Sequence, residues 1–420
     1  MAYVAERLTF EEASSDWALL QRTLRNDSVF FTLPWQKWWW ELFGQGDLHL
    51  CRVTLDRQVI GIAPLMYRDN IWRFLGGTDL FDYHECLVLE GHEVAFFETV
   101  LHYIESEPWS EIEFVSLRDD AVTLSVLPDI ATTAGYRTVI EKEDVSPGIL
   151  LPVDWDAYLA TLTKKNRHEL RRKLRRLDTS GVRVAFRGLS DRTEIEGSLP
   201  EFFRMMRISR DDKTEFLTDE RQHFFESLAE KLSSLGAIKL FFLDVDETPA
   251  AAVVCFDYKG IRFLYNSGYD PEFSHLSVSL MLKSWCVRNA IEEGIGYFDF
   301  LRGSERYKYV AFRGCDDLAF DLQEEPDEQR NLLTAGEISP ELATLKSAVL
   351  DDFNFDDVEQ VCQRDTEKLR QKYPKRVNPE TPNQICWKDG RLVEADVPLY
   401  QPSVVSQNPS LDFDDHPPNS

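Results

Sequence analysis

The residues best suited to chemistry lie close together late in the chain, in the segment YFDFLRGSERYKYVAF at 297–312. Asp299 alternates with two phenylalanines in a strand pattern, so its side chain points away from those rings. It is a candidate base or acceptor-positioning residue, or alternatively an acid paired with Arg302. Arg302, Tyr307 and Lys308 flank a glycine-serine turn, where they could bind an anionic substrate or donate a proton. For Tyr307, packing as an edge aromatic is the alternative.

A basic helix is predicted from Thr163 to Asp178. Its apolar stripe is narrow and consists of Leu170, Leu174 and Leu177. Eight cationic residues cover the remaining circumference: Lys164, Lys165, Arg167, Arg171, Arg172, Lys173, Arg175 and Arg176. A solvated face is the ordinary interpretation. Because like charges repel, the alternative is an anionic partner, such as an acidic patch of this chain or a phosphorylated sugar or lipid-linked substrate.

The elements that must position these residues occur twice. Three strand-like runs joined by short polar turns span 48–77, and three similar runs span 238–268, about 190 residues later. Each set is followed by a helical stretch and one further strand, at 93–105 with 111–115 and at 277–293 with 297–301. The order strand, strand, strand, helix, strand therefore repeats. It predicts an α/β fold with mixed sheets in two lobes of similar topology, the alternative being chance similarity of hairpins.

The basic helix and the YFDFLRGSERYKYVAF segment together resemble the BioF2-like acetyltransferase domain. That family includes CelD/BcsL-type cellulose-biosynthesis acetyltransferases of the GNAT superfamily and is similar to Fem-type peptidyltransferases, which have two GNAT lobes. The resemblance covers roughly residues 25–315. It implies two tandem GNAT-like lobes at 1–150 and 151–320, the basic helix between their sheets, and an acidic helical segment with a loosely ordered tail at 321–420.

The GNAT resemblance also implies a reaction. An acetyl or other acyl group would pass from a CoA thioester to an amine or hydroxyl of a sugar or cell-envelope (polysaccharide) precursor. The CoA pyrophosphate would bind backbone N–H groups where a helix begins, in the segment 273–280. Ser277 and Ser279 stand there in place of the family's Ser-Pro-Gly, as candidate cofactor-binding residues or helix caps. Tyr265 and Asn266 are further cofactor candidates, because GNAT enzymes separate two strands at that point to admit the thioester.

Substrate and partner assignments follow from the same resemblance. Arg167 matches the family's K-x-R position, and Arg167, Arg171 and Arg302 are candidate substrate-binding residues. The Fem resemblance implies tRNA as a partner of the basic helix, and hence aminoacyl-tRNA-dependent transfer as an alternative activity. A non-catalytic GNAT-fold scaffold is the second alternative, since no glycine occurs from Tyr269 to Ala290.

Composition narrows the remaining choices. The 420 residues carry a net charge of −26, which argues against nucleic-acid binding by the whole surface. Neither a signal peptide nor a run of 18 apolar residues is visible, so we expect a cytoplasmic protein without a membrane span. The seven cysteines are scattered and predict reduced, mostly buried thiols. No metal-ligand spacing, Walker loop, GxSxG or GxGxxG motif occurs, so we expect no metal and no nucleotide-hydrolysing or dinucleotide-binding site.

Overall fold

A computed structural model of the chain describes residues 3–24, 27–303, 305, 307–308 and 312. Beyond these it describes the backbone of three short antiparallel strands, Val377–Asn378, Thr381–Cys386 and Leu392–Glu394. The chain divides into two compact units, Met1–Asp317 and Leu318–Ser420. The predicted acidic helical segment lies outside the described residues, as does most of the predicted tail.

The first lobe is a six-stranded sheet with helices on both faces. Its strands are β1 (Tyr3–Leu8), β2 (Asp47–Leu55), β3 (Gln58–Arg68), β4 (Ile71–Phe74), β5 (Leu87–Val88) and β6 (Glu111–Glu113). The sheet order is β1-β2-β3-β4-β6, with β5 paired to β3; only β4 and β6 run parallel. The helices are α1 (Phe10–Gln21), α2 (Leu33–Phe43), α3 (Glu93–Ile104) and α4 (Val122–Thr133).

The second lobe repeats this plan. Its strands are β7 (Gly148–Leu150), β8 (Val184–Leu189), β9 (Ile238–Val245), β10 (Thr248–Tyr258), β11 (Ile261–Tyr269) and β12 (Tyr297–Asp299), in the order β7-β12-β11-β10-β9-β8. Its helices are α5 (Trp155–Thr161), α6 (Lys164–Asp178), α7 (Arg192–Ser209), α8 (Asp211–Phe216), α9 (Asp219–Lys231) and α10 (Val278–Glu292). The predicted α/β fold with two lobes of mixed sheets is thereby confirmed. Strand β7 joins the second sheet although it precedes the boundary expected at residue 150.

The internal repeat extends to single residues. Two-residue turns with positive φ at both positions join β2 to β3, β3 to β4, β9 to β10 and β10 to β11. This backbone matches the right-handed twist of the flanking strands. The register also shifts by one residue at Ile60 in β3 and at Ala250 in β10. Ile60 and Ala250 are as far apart in sequence as Leu48 and Ile238, where the two repeats begin. Chance similarity of hairpins does not account for matching bulges.

The basic helix begins and ends where the sequence predicted. Asp154 and Thr163 cap α5 and α6 by accepting hydrogen bonds from backbone N–H groups of the first turn. Leu170 and Leu177 are both 2 % exposed, while Arg171 is exposed. Helix α6 therefore buries its leucine stripe and presents most of its cations to solvent, as predicted.

The two lobes share one hydrophobic core. Trp35 of α2 is fully buried, and its ring centroid lies 5.5 Å from Phe224, 5.2 Å from Phe256 and 5.6 Å from Tyr265, all of the second lobe. Edge-to-face geometry at these distances is favourable for aromatic pairs. The helices α1, α2, α7 and α9 thus form a common layer between the two sheets.

Four cysteines fall within the part of the chain whose side chains are described: Cys51, Cys86, Cys255 and Cys286. All four are buried and unpaired, as the sequence predicted. None of the helices described is both long and apolar enough to cross a membrane.

Candidate active site

Strand β11 continues beyond the end of its parallel neighbour β12. Their parallel pairing covers only Ile261–Phe263 with Tyr297–Asp299, although β11 continues to Tyr269. Just beyond the paired stretch, Tyr265 is an extra residue in the register between β10 and β11. A bulge bends a strand and locally disrupts its pairing. The last residues of β11 thus lie beyond the pairing with β12, at the carboxyl ends of two parallel strands, which is a common place for ligands; we call this place the β11–β12 opening.

A lysine lies on each side of the β11–β12 opening. On the β11 side, Lys213 of α8 donates to the Asn266 side-chain oxygen at 3.1 Å and to the carbonyl of Ser267. On the β12 side, Lys308 donates to the carbonyl oxygens of Leu301, at 3.1 Å, and Arg302, at 2.7 Å. Lys308 is 2 % exposed and forms an ion pair with Glu305 at 2.8 Å. Both ammonium groups therefore hold the chain segments that border the opening.

A third lysine connects two predicted residues. Lys283 of α10 is 6 % exposed, donates to the Ser279 hydroxyl at 3.1 Å and lies 4.2 Å from the ring centroid of Tyr307. Burial, together with the positive charges of Lys213 and Lys308, lowers the pKa of Lys283 to about 7. Burial likewise lowers the pKa of Lys213 to about 8. Both amines consequently titrate near neutral pH.

The start of α10 makes a left-handed turn without glycine. Ser277 has φ 57° and ψ 35°, a conformation that glycine adopts more easily than serine. Its side chain makes no capping hydrogen bond, so the capping alternative for Ser277 is wrong. Ser279 accepts from Lys283 within the first helical turn. The N–H groups of a first turn have no acceptor within their own helix, and here no Ser277 hydroxyl covers them.

Asp299 bonds to the first lobe. Both carboxylate oxygens accept from the Tyr83 hydroxyl, at 3.1 and 2.9 Å, and one also accepts from the N–H of Leu301 at 2.8 Å. Asp299 is 3 % exposed, and burial raises its pKa to about 6 although these hydrogen bonds and Arg118 oppose the shift.

The predicted pairing of Asp299 with Arg302 is wrong. The Arg302 guanidinium donates to Glu143 at 2.8 Å and to Ser116 at 3.2 Å, and its backbone N–H donates to Asp82. The reason is Leu301, whose left-handed φ of 56° turns the chain after β12 and directs Arg302 to the first lobe. Burial also raises the pKa of Asp82 to about 6.

The cofactor candidates on β11 occupy different surroundings. The Tyr265 ring packs in the shared core, and its hydroxyl donates to the carbonyl of Leu80 in the first lobe at 3.2 Å. Burial raises the pKa of Tyr265 well above its usual value. Asn266 instead faces Lys213. Only the second of the two therefore presents its polar group to the lysines at the β11–β12 opening.

Helix α6 packs against the 3-10 turn Pro271–Leu276 that leads into α10. Arg167 is half-buried and donates to the carbonyl of Leu159 at 3.5 Å. Glu169 pairs with Arg172 at 2.8 Å and lies 3.7 Å from Lys173, which offsets part of the helix charge. Through its contact with this turn, helix α6 lies beside the segment that the sequence assigned to pyrophosphate.

Four of the predicted residues come together through lysines that sequence reasoning missed: Asn266, Ser279, Tyr307 and Lys308. Asp299 and Arg302 form a second group, with Asp82 and Tyr83, which were also missed. Lys283 had a visible signal, because it is the only charged residue in the run LSVSLMLKSWCV at 276–287. Lys213 had no such signal, since nothing in the surrounding sequence distinguishes it from other charged residues. Among the described residues, no group of three or more His, Cys, Asp or Glu side chains is arranged to hold a metal ion.

Comparison with known proteins gives the same domain type. Residues 164–309 match the family model of the "Acetyltransferase (GNAT) domain". About three quarters of the chain is similar to the solved structure of FemX, with 14 % identity and a TM-score of 0.48 over 74 % of this chain and 93 % of that one. A conserved Bacteroides thetaiotaomicron protein of unknown function is similar with 11 % identity and a TM-score of 0.49, over 74 % of this chain and 95 % of that one. A tandem GNAT protein from the clavulanic acid biosynthesis pathway is also similar, with 11 % identity and a TM-score of 0.41 over 73 % of this chain and 91 % of that one. A search of curated proteins found no match.

Proposed function

We propose that this chain is an acyltransferase. It moves an acetyl or other acyl group from a CoA thioester to an amine or hydroxyl of a small acceptor, a sugar or cell-envelope precursor. The observation that carries the proposal is the β11–β12 opening, which lies inside the segment 164–309 that matches the GNAT acetyltransferase domain. We place the reaction in the cytoplasm, and the four buried free cysteines fit that reducing compartment.

The residues around the opening fit a CoA thioester. The uncapped N–H groups at the start of α10, with the hydroxyls of Ser277 and Ser279, would hold the pyrophosphate. Tyr265 and Asn266 would border the thioester arm where the strands part. Helix α6, which carries Arg167 and Arg171, packs against the turn that precedes this site, and these arginines would attract an anionic acceptor.

The chemistry requires two proton transfers. The acceptor's nitrogen or oxygen forms a bond to the acyl carbon as the carbon–sulfur bond breaks. Asp299, with a pKa of about 6, is the candidate group to receive the acceptor's proton near neutral pH. Burial raises the pKa of the Tyr307 hydroxyl, so it stays protonated and can supply a proton to the departing sulfur. Lys308 fixes the segment between these residues and adds positive charge beside the thiolate.

The test is calorimetric titration of the full chain with acetyl-CoA, paired with an assay of free thiol over a panel of amine and hydroxyl acceptors. We expect micromolar binding that weakens at least about tenfold in Ser277→Ala/Ser279→Ala, since the loss of even one charge-assisted hydrogen bond costs about 1.5–3 kcal/mol. Ser106→Ala/Ser110→Ala, both exposed in the first lobe, is the matched control. An unmodified protein that binds neither acetyl-CoA nor CoA would overturn the proposal.

The exposed cations of α6 favour a second candidate, aminoacyl transfer from tRNA. Replacing Arg171, Arg175 and Arg176 with glutamate would then abolish tRNA retention and its steep salt dependence while leaving acetyl-CoA binding intact. The same change at exposed arginines of the first lobe, Arg22, Arg57 and Arg137, is the control. A chain that retains tRNA but not acetyl-CoA would favour this candidate, and one that retains neither would favour the non-catalytic scaffold.

A further inference from the structure

We propose that Lys213, Lys283 and Lys308 form a binding site for an oxyanion, a carboxylate or phosphate group carried by the acyl acceptor. The acceptor assignment rests on the proposed function, whereas the anion site rests on the contacts and charges of these residues. We call the three side chains the lysine cluster.

The lysine cluster is assembled from three separate elements. Lys213 comes from α8, Lys283 from the second turn of α10 and Lys308 from the segment after β12. Lys283 feels the charges of Lys213 and Lys308, Lys213 feels the charge of Lys308, and both feel the charge of Glu305. One electrostatic neighbourhood thus joins elements that are distant in sequence, and it borders the β11–β12 opening.

Among the residues that the structure describes around the cluster, positive charge exceeds negative charge. Glu305 is the described carboxylate that forms an ion pair with it, at 2.8 Å from Lys308. The other described groups that act on the lysines are Arg210 and Asp212, which offset each other beside Lys213, and the side chains of Tyr307 and Cys286. The Tyr307 ring gives Lys283 only a cation–π contact. Burying cations without enough anions is costly, and an added anion would relieve that cost.

Glu305 shows how a carboxylate fits the cluster. Its side chain is 46 % exposed, so it can move into solvent and leave Lys308 to a ligand. Gly303 leaves room for it, because a Cβ there would lie 2.4 Å from a Glu305 oxygen and 3.0 Å from the Lys308 nitrogen. The carboxylate of Glu305 therefore occupies, from within the chain, the position that a substrate oxyanion would take.

The pKa values of the lysines predict that anion binding is accompanied by proton uptake. In the unliganded protein the pKa is about 7 for Lys283 and about 8 for Lys213, so both amines are partly neutral at pH 8. A bound oxyanion favours the charged form and raises both pKa values. Binding at pH 8 should consequently take up protons, which calorimetry detects as a dependence of the observed heat on the ionisation enthalpy of the buffer.

The experiment uses the full chain and inorganic phosphate at low millimolar concentration, followed by thermal unfolding and by calorimetry in two buffers at pH 8. We expect saturable stabilisation with proton uptake. Lys283→Met should weaken phosphate binding at least about tenfold, and Glu305→Gln should strengthen it about fivefold by removing the internal competitor. Lys37→Met, at a partly exposed lysine paired with Glu11 in the first lobe, is the control for general salt effects.

Three outcomes would overturn the proposal. The lysines have no anion site if phosphate does not stabilise the unmodified chain. If phosphate stabilises Lys283→Met and Lys213→Met to the same extent as the Lys37→Met control, the lysines only hold the chain segments together. The anion belongs to the donor, not the acceptor, if saturating CoA abolishes phosphate binding. Acetyl-CoA binding, measured separately, reports on the proposed function, so its failure can be told apart from failure of the anion site.

Discussion

The Tyr83 hydroxyl bridges the two carboxylate oxygens of Asp299, at 3.1 and 2.9 Å, and thereby joins a loop of the first lobe to the last strand of the second lobe's motif. The partners stand 216 residues apart in sequence. The loop that supplies Tyr83 follows β4, which ends at Phe74, whereas the corresponding strand β11 continues past its bulge. The first lobe therefore contributes directly to the surroundings of a candidate catalytic group in the second.

Removing the Tyr83 hydroxyl should weaken the contact between the two lobes and so lower the stability of the chain. Tyr83→Phe leaves a buried carboxylate with one donor fewer, and we expect the free energy of unfolding to fall by about 1–3 kcal/mol. Urea unfolding followed by circular dichroism measures this. Tyr136→Phe, which removes an exposed hydroxyl bonded to Glu105, should change stability by much less. Equal losses in both variants would contradict a special role for the Tyr83 bond.

Asp299 should make stability depend on pH. Because its folded pKa of about 6 is above its usual value of 3.8, the folded chain binds a proton more readily than the unfolded chain between those values. Its contribution is thus complete below pH 4 and is lost as pH rises through 6. Asp299→Asn keeps a hydrogen-bond acceptor but does not titrate, so it should match the unmodified protein at pH 4 and exceed it at pH 8 by up to about 3 kcal/mol. A variant less stable at pH 8 would refute this sign.

The left-handed backbone of Ser277 predicts an unusual stabilising change. Ser277→Gly removes a conformational cost of about 1 kcal/mol, partly offset by the greater freedom of glycine in the unfolded chain. We expect unchanged or slightly raised stability by urea unfolding. The same substitution at Ser279, inside the first turn of α10, should destabilise by about 0.5–1 kcal/mol. If both changes destabilise alike, the left-handed turn does not strain the chain.

Two glycines associated with α7 should respond in opposite ways to alanine. A Cβ on Gly268, near the end of β11, would lie 2.5 Å from backbone atoms of Met205 and Met206, so Gly268→Ala must push α7 away from the strand. We expect a loss of about 1–3 kcal/mol and weaker acetyl-CoA binding. Gly197, within α7, has nothing within 4 Å of such an atom, and Gly197→Ala should stabilise by about 1 kcal/mol. Thermal unfolding of the pair checks both signs.

Local patterns predicted the elements, because strand alternation, turn residues and caps act over a few positions. The two sets of hairpins and the Thr163 cap are examples. The candidate site could be predicted from the sequence only in part. The bonds from Lys213 to Asn266 and from Tyr83 to Asp299 join residues 53 and 216 positions apart, and no periodicity connects them. The pairing of Asp299 with Arg302 was wrong because sequence proximity could not reveal the left-handed turn at Leu301.

The common aromatic layer around Trp35 has a consequence for folding. Each lobe covers apolar rings of the other, so separating them would expose Trp35 together with Phe224 and Phe256 to water. The two sheets consequently lose their support together, and residues 1–317 should melt in a single cooperative transition. We therefore expect that neither lobe would be stable if it were produced without the other.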